Sequence, residues 1–103
     1  MEYYYKVLDW YDGANLILTE DEYGNEYICM REPPGNWFLG ALVNKINKKL
    51  FLIGKVDLRT LILSSDLYRF TTSDYDDPID PIYMKKEELK EEYLPLGGYY
   101  YEE

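Results

Sequence analysis

The stretch NLILTEDEYGNEYICMREPPGNWFLGALV, residues 15–43, decides the fold. It contains runs of strand-forming residues at 15–20, 26–31 and 37–43, rich in the β-branched and aromatic types that suit a pleated, half-buried surface. Glu22-Tyr23-Gly24-Asn25 separates the first two runs and reads as a hairpin turn. Pro33-Pro34-Gly35 separates the second and third, where proline removes the donor that a ladder would need. The run WFLGALV at 37–43 is almost wholly apolar, which predicts a central strand.

Toward the N-terminus, residues 3–10 (YYYKVLDW) predict another strand, joined to 15–20 through the turn signal Asp12-Gly13. Toward the C-terminus the period changes. Asn44 is a helix cap, and Ile46, Leu50 and Ile53 recur at i, i+4 and i+7. Gly54 suits the left-handed stop. Asp57 caps a second short helix whose Leu58, Leu61 and Ile62 face inward, and 67–72 (LYRFTT) predicts a fifth strand. Residues 73–83 (SDYDDPIDPIY) carry two prolines and four aspartates, which predicts an irregular segment. Residues 84–93 have material for one or two helical turns. The expected core comprises Val7, Leu16, Leu18, Ile28, Leu39, Leu42, Ile46, Leu50, Ile53, Leu58, Leu61 and Ile62.

Composition limits the function classes. The chain has 103 residues, enough for a single domain spanning 1–103. It carries 20 acids against 11 bases, a net charge of −9, with no histidine and 13 tyrosines. Residues 66–103 hold eleven acids and four bases, hence seven of those nine charges. A chain this acidic repels phosphate backbones and anionic membrane surfaces, so direct nucleic-acid or membrane binding is not expected. A basic protein surface is the favoured partner. The lack of histidine removes the commonest general base and metal ligand. Cys29 stands alone, so no internal disulfide forms, and it reads as a small buried hydrophobe on a strand. Neither a leader-like N-terminus nor an apolar run long enough to span a bilayer is visible, and the expected location is the cytoplasm of a bacterial host cell.

Residues 11–18 (YDGANLIL), 22–30, 37–43 and 56–63 (VDLRTLIL), with Tyr93-Leu94-Pro95, together form a pattern. It resembles a family of small bacterial and phage proteins of unknown function. The sequence departs from that pattern in having no proline after Gly13 and in its extra tyrosines. The resemblance implies the same mixed fold and a phage or mobile-element origin. The family has no assigned activity, so it implies no site residue.

The candidate site lies in the acidic segment. Asp74, Asp76, Asp77 and Asp80 are flanked by Tyr75 and Tyr83. The ordinary reading is a solvated loop. As a metal site the spacing is broken by Pro78 and Pro81, and no acid closes a twelve-residue loop. As an interaction surface, carboxylates flanked by aromatic rings present the charge and spacing of phosphates flanked by bases, and tyrosine is a good interface anchor. Glu87, Glu88, Glu91 and Glu92 form a second patch, a solvated face in the ordinary reading and a continuation of the same surface in the functional one. Trp10 and Trp37 are ordinary core residues of strands, or else the walls of a small-ligand pocket. No nucleophile motif, phosphate loop or dinucleotide fingerprint is present.

The sequence therefore predicts an α+β fold: an antiparallel β-meander of about five strands, two short helices on one face, and an irregular acidic C-terminal segment. It predicts a non-catalytic protein without metal or cofactor. Its partner-binding residues would be Asp74, Tyr75, Asp76, Asp77, Asp80, Tyr83, Glu87, Glu88, Glu91 and Glu92. The expected role is an inhibitor occupying the basic nucleic-acid-binding surface of a partner protein, as a phage antagonist of a defence nuclease or CRISPR effector would. Two alternatives stay open. One is a structural or assembly module, including a homodimer, associating through exposed tyrosines and sheet edges. The other is a small-ligand binder or enzyme with a pocket near Trp10 and Trp37.

Overall fold

The computed structural model describes residues 5–10, 14–21, 23–32, 37–72, 78–85, 87 and 89. In chain order the elements are β1 (Tyr5–Trp10), β2 (Ala14–Glu20), β3 (Glu26–Glu32), β4 (Trp37–Val43), α1 (Lys45–Leu52), α2 (Leu58–Ser64), β5 (Leu67–Thr72) and β6 (Pro78–Met84). The strands form one antiparallel sheet whose spatial order is the chain order. The fold is α+β. The expected meander is present as β1–β5, with β6 continuing it.

That sixth strand corrects the expectation of an irregular segment at 78–83. Two prolines are tolerated because, among the described residues, β6 is the last strand of the sheet and pairs with β5 alone. Pro81 pairs with Phe70 and Pro78 with Thr72, with a shift of register between those positions.

Strand alternation divides the apolar residues between two faces. Register places Leu16 opposite Met30, Met30 opposite Leu39, Ile28 opposite Ala41, and Leu67 between Ala41 and Met84. This face is covered by both helices, which add Phe51, Leu61 and Ile62 to one cluster with Leu16, Ile28, Leu39 and Leu67. The opposite face collects Ile17, Tyr27, Cys29, Phe38 and Phe70. β4 contributes buried residues to both clusters, as its continuous apolar run requires: Leu39 and Ala41 to one, Phe38 to the other.

Both helices begin where the sequence places their caps. The Asn44 side chain accepts from the amides of Ile46 (2.9 Å) and Asn47 (2.8 Å), while Asn47 Oδ1 accepts from the Asn44 amide (2.7 Å). This reciprocal box satisfies donors that the helix start leaves open. Asp57 accepts from the Thr60 amide at 3.0 Å. At the end of α1, Gly54 has φ 75°. The Lys55 amide donates to the Leu50 carbonyl (2.8 Å) and the Gly54 amide to that of Phe51 (3.1 Å). These paired bonds around a left-handed glycine close the last turn.

The face that α1 buries is not the expected one. Ile46, Leu50 and Ile53 are exposed, at 73%, 36% and 55%, and the buried residue is Phe51. Asn47, Lys48 and Leu52 are half-buried beside it. The helix is thus turned by one residue, about 100°, from the 46/50/53 stripe. Two contacts hold it there. Phe51 enters the core, and Lys48 Nζ donates to both Glu26 carboxylate oxygens at 2.9 Å, tying α1 to β3. Elsewhere in the expected core, Leu16, Ile28, Leu39, Leu61 and Ile62 are buried, and Leu18, Leu42 and Leu58 are half-buried. The side chain of Val7 lies outside the described set.

Candidate interaction surface

The sheet face opposite the helices carries a row of aromatic rings. Tyr83 on β6 meets Tyr68 on β5 edge to face, with centroids 5.5 Å apart. Tyr68 meets Tyr27 on β3 at 5.3 Å, and Tyr27 meets Phe70 at 5.1 Å. Tyr27 and Tyr68 stand on strands separated by β4, and the chain clears the way between them with Gly40. A side-chain carbon there would lie 2.6 Å from Phe70 Cε2 and 2.9 Å from Cys29 Sγ. Only a glycine lets the Phe70 ring lie this close to the β4 backbone. Edge-to-face packing adds about 0.5–1.5 kcal/mol per pair beyond burial.

One end of the row is fixed and the other is open. The Tyr27 hydroxyl donates to Asp21 Oδ2 at 2.8 Å. The same carboxylate accepts from the amides of Tyr23 and Asn25, each at 2.9 Å, and from Asn25 Nδ2 at 3.0 Å. Burial works against the Asp21 charge, but these four hydrogen bonds outweigh it and hold the carboxyl below its ordinary value. Burial, then the bond to Asp21, raises the Tyr27 phenol above its own. At the open end Tyr83 is 59% exposed.

Tyr83 also borders a hollow of about 560 Å³ lined by Asp66, Leu67, Tyr83, Lys85 and Glu87. Asp66, Lys85 and Glu87 are exposed. Two acids, a lysine and a tyrosine thus line one hollow at the margin of the sheet. Of the sequence-predicted site residues, Tyr83 and Glu87 are brought together here. Asp80 belongs to β6, three residues before Tyr83. Asp74, Tyr75, Asp76, Asp77, Glu88, Glu91 and Glu92 lie outside the described residues.

Sequence reasoning missed Asp66 and Lys85. Both sit in the linkers just outside strands, at 66 and 85, and only the antiparallel pairing of Leu67 with Met84 makes them neighbours. The strand signal at 78–84 existed in Ile79, Ile82, Tyr83 and Met84, but the prolines masked it.

The alternative pocket near Trp10 and Trp37 gains no support from the topology. Trp10 ends β1 and Trp37 begins β4, with β2 and β3 between them. Three strand spacings separate the two backbones by about 14 Å. Their side chains lie outside the described set. Among the described residues, no group of three or more His, Cys, Asp or Glu is placed to hold a metal ion. Cys29 is fully buried and burial raises its thiol pKa, which leaves it protonated near neutrality. No helix among these residues is long and apolar enough to cross a membrane. Comparison with family models, curated proteins and solved structures finds no match for this chain.

Proposed function

We propose that this chain is a non-catalytic binding protein whose acidic, tyrosine-bearing β6 margin engages a basic surface on another protein. The supporting observation is the meeting of exposed Tyr83 with Asp66 and Glu87 around one open hollow. Asp80 and the run Asp74-Tyr75-Asp76-Asp77 precede it directly in sequence. A groove built for nucleic acid offers lysine and arginine to phosphates and flat surfaces to bases. Carboxylates spaced by tyrosines match both features, and their charge speeds encounter. The mechanism is occlusion of that groove and needs no bond-making step. In its most specific form the protein is a phage-type antagonist of a bacterial defence nuclease or CRISPR effector.

The test is capture from bacterial lysate on the immobilised chain at low salt, followed by elution with duplex DNA or RNA. The expected result is a nucleic-acid-binding protein released by the competitor and by raised salt. Retention that neither competitor nor salt disturbs overturns the reading.

The second reading, assembly through the sheet edge, is favoured by exposed Ile82 and Tyr83 on β6, the last strand in the sheet order.

A further inference from the structure

Phe51 in the core and the Lys48–Glu26 bridge at 2.9 Å fix the rotation of α1. At about 100° per residue, Lys45, Lys49, Ile53, Ile46 and Leu50 then follow one another around an arc of about 140°. All five are exposed, and Ile46 and Ile53 the most of the three apolar ones, at 73% and 55%. Two lysines thus edge a row of three apolar side chains turned away from the core. Lys55, just past the Gly54 stop, is exposed as well. Charge singles this face out. Residues 44–56 contain four lysines and no acid, in a chain of 20 acids and 11 bases. Among the described residues, the ion pair that α1 makes uses Lys48, which leaves the ammonium groups of Lys45, Lys49 and Lys55 to solvent.

Neighbouring apolar side chains rimmed by polar groups at a surface mark an interaction site. We infer that this face docks a short acidic amphipathic segment of another protein, with apolar side chains on Ile46, Leu50 and Ile53 and carboxylates on Lys45, Lys49 and Lys55. The apolar row runs along α1 at i, i+4 and i+7, so a partner helix with the same spacing lays its own row against it. Lysine stems extend the apolar contact while their ammonium groups reach the carboxylates at its edge. The partner's size follows from screening. Exposed charges farther apart than about 8–10 Å are screened at physiological salt, so a segment confined to this face feels its lysines. An anionic membrane or a nucleic acid extends past the face and meets the rest of a chain whose net charge is −9, which repels both.

This docking does not rest on the reading of the β6 margin, which concerns carboxylates on other elements. The probe is a labelled synthetic helical peptide with leucines at i, i+4 and i+7 and glutamates between them, titrated with the purified chain at low salt. A second peptide carries glutamine in place of every glutamate. The acidic peptide should bind saturably, and about tenfold or more tightly than the glutamine peptide, with the gap closing as salt rises. Lys45→Glu with Lys49→Glu should abolish that preference, and Lys45→Arg with Lys49→Arg should keep it. Ile46→Gln with Ile53→Gln should weaken binding of both peptides. All these positions are exposed, so melting temperatures should stay near wild type. A wild type that binds neither peptide overturns the inference, as does equal affinity for the two or a preference that survives the glutamate substitutions. Sedimentation of the wild type with phosphatidylserine vesicles, or its dimerisation, assigns the face to a membrane or to a second copy if Lys45→Glu with Lys49→Glu abolishes it, and equally overturns the inference.

Discussion

At Gly40 an added methyl would press on the Phe70 ring at 2.6 Å and on Cys29 Sγ at 2.9 Å. Both neighbours are buried, so neither can swing aside. Gly40→Ala is expected to destabilise the fold by about 1–3 kcal/mol, the range for overpacking a filled core, measured by chemical denaturation. A neutral effect would show that the aromatic row is loosely held. Two groups beside this glycine make stability depend on pH. Burial raises the Cys29 thiol above 9.0 and the Tyr27 phenol above 10.0, their ordinary values. The folded chain keeps protons that the unfolded chain releases, so this stability is complete below those values and is lost as pH rises past them. Melting temperature should therefore fall from pH 9.0 upward. Cys29→Ala should remove the part of the slope that begins at pH 9.0 and leave the fall above 10.0. An unchanged slope in that variant would contradict the assignment to Cys29.

At the scale of the element, hydrogen-bonding signals in the sequence were reliable and packing phase was not. Asn44, Asp57 and Gly54 act locally, through bonds to amides and carbonyls a few residues away, and each does what its residue type predicts. The same holds for the turn before β3, where Gly24 has φ 85°. The buried side of α1 depends on distant partners. Four consecutive apolar residues, Leu50 to Ile53, are compatible with more than one phase, and the choice fell to Phe51 and to the Lys48–Glu26 bridge. β6 was hidden for a related reason. Proline argues against a central strand, but only the sheet order reveals that this strand is the last one among the described residues. The corrected phase predicts that Phe51→Ala costs about 3–5 kcal/mol, the range for a buried phenylalanine. Leu50→Ala should cost under about 1 kcal/mol, as for a surface position. Denaturation of the two variants side by side checks this. Equal costs would contradict the observed orientation of α1.

Across the whole molecule, charge was the most legible functional signal and geometry the least. The excess of acids in residues 66–103 is visible in the sequence, as is the run of lysines at 45–55. That Tyr83 and Glu87 share a hollow with Asp66 requires β5 and β6 to pair, which composition does not encode. Of the proposed site residues, Asp80, Tyr83 and Glu87 belong to the described part and the rest fall outside it. The most direct measurement is the association rate of the chain with its captured basic partner. Wild type is compared with a variant carrying Asp74→Asn, Asp76→Asn, Asp77→Asn and Asp80→Asn, at low and at physiological salt. Asparagine keeps size and most hydrogen bonding while removing four charges. The account predicts markedly slower association for the variant, a gap that narrows as salt rises, and a fold stability within about 1 kcal/mol of wild type. A variant that binds as fast and as tightly as wild type would contradict it, and the acidic segment would then be a solvated face.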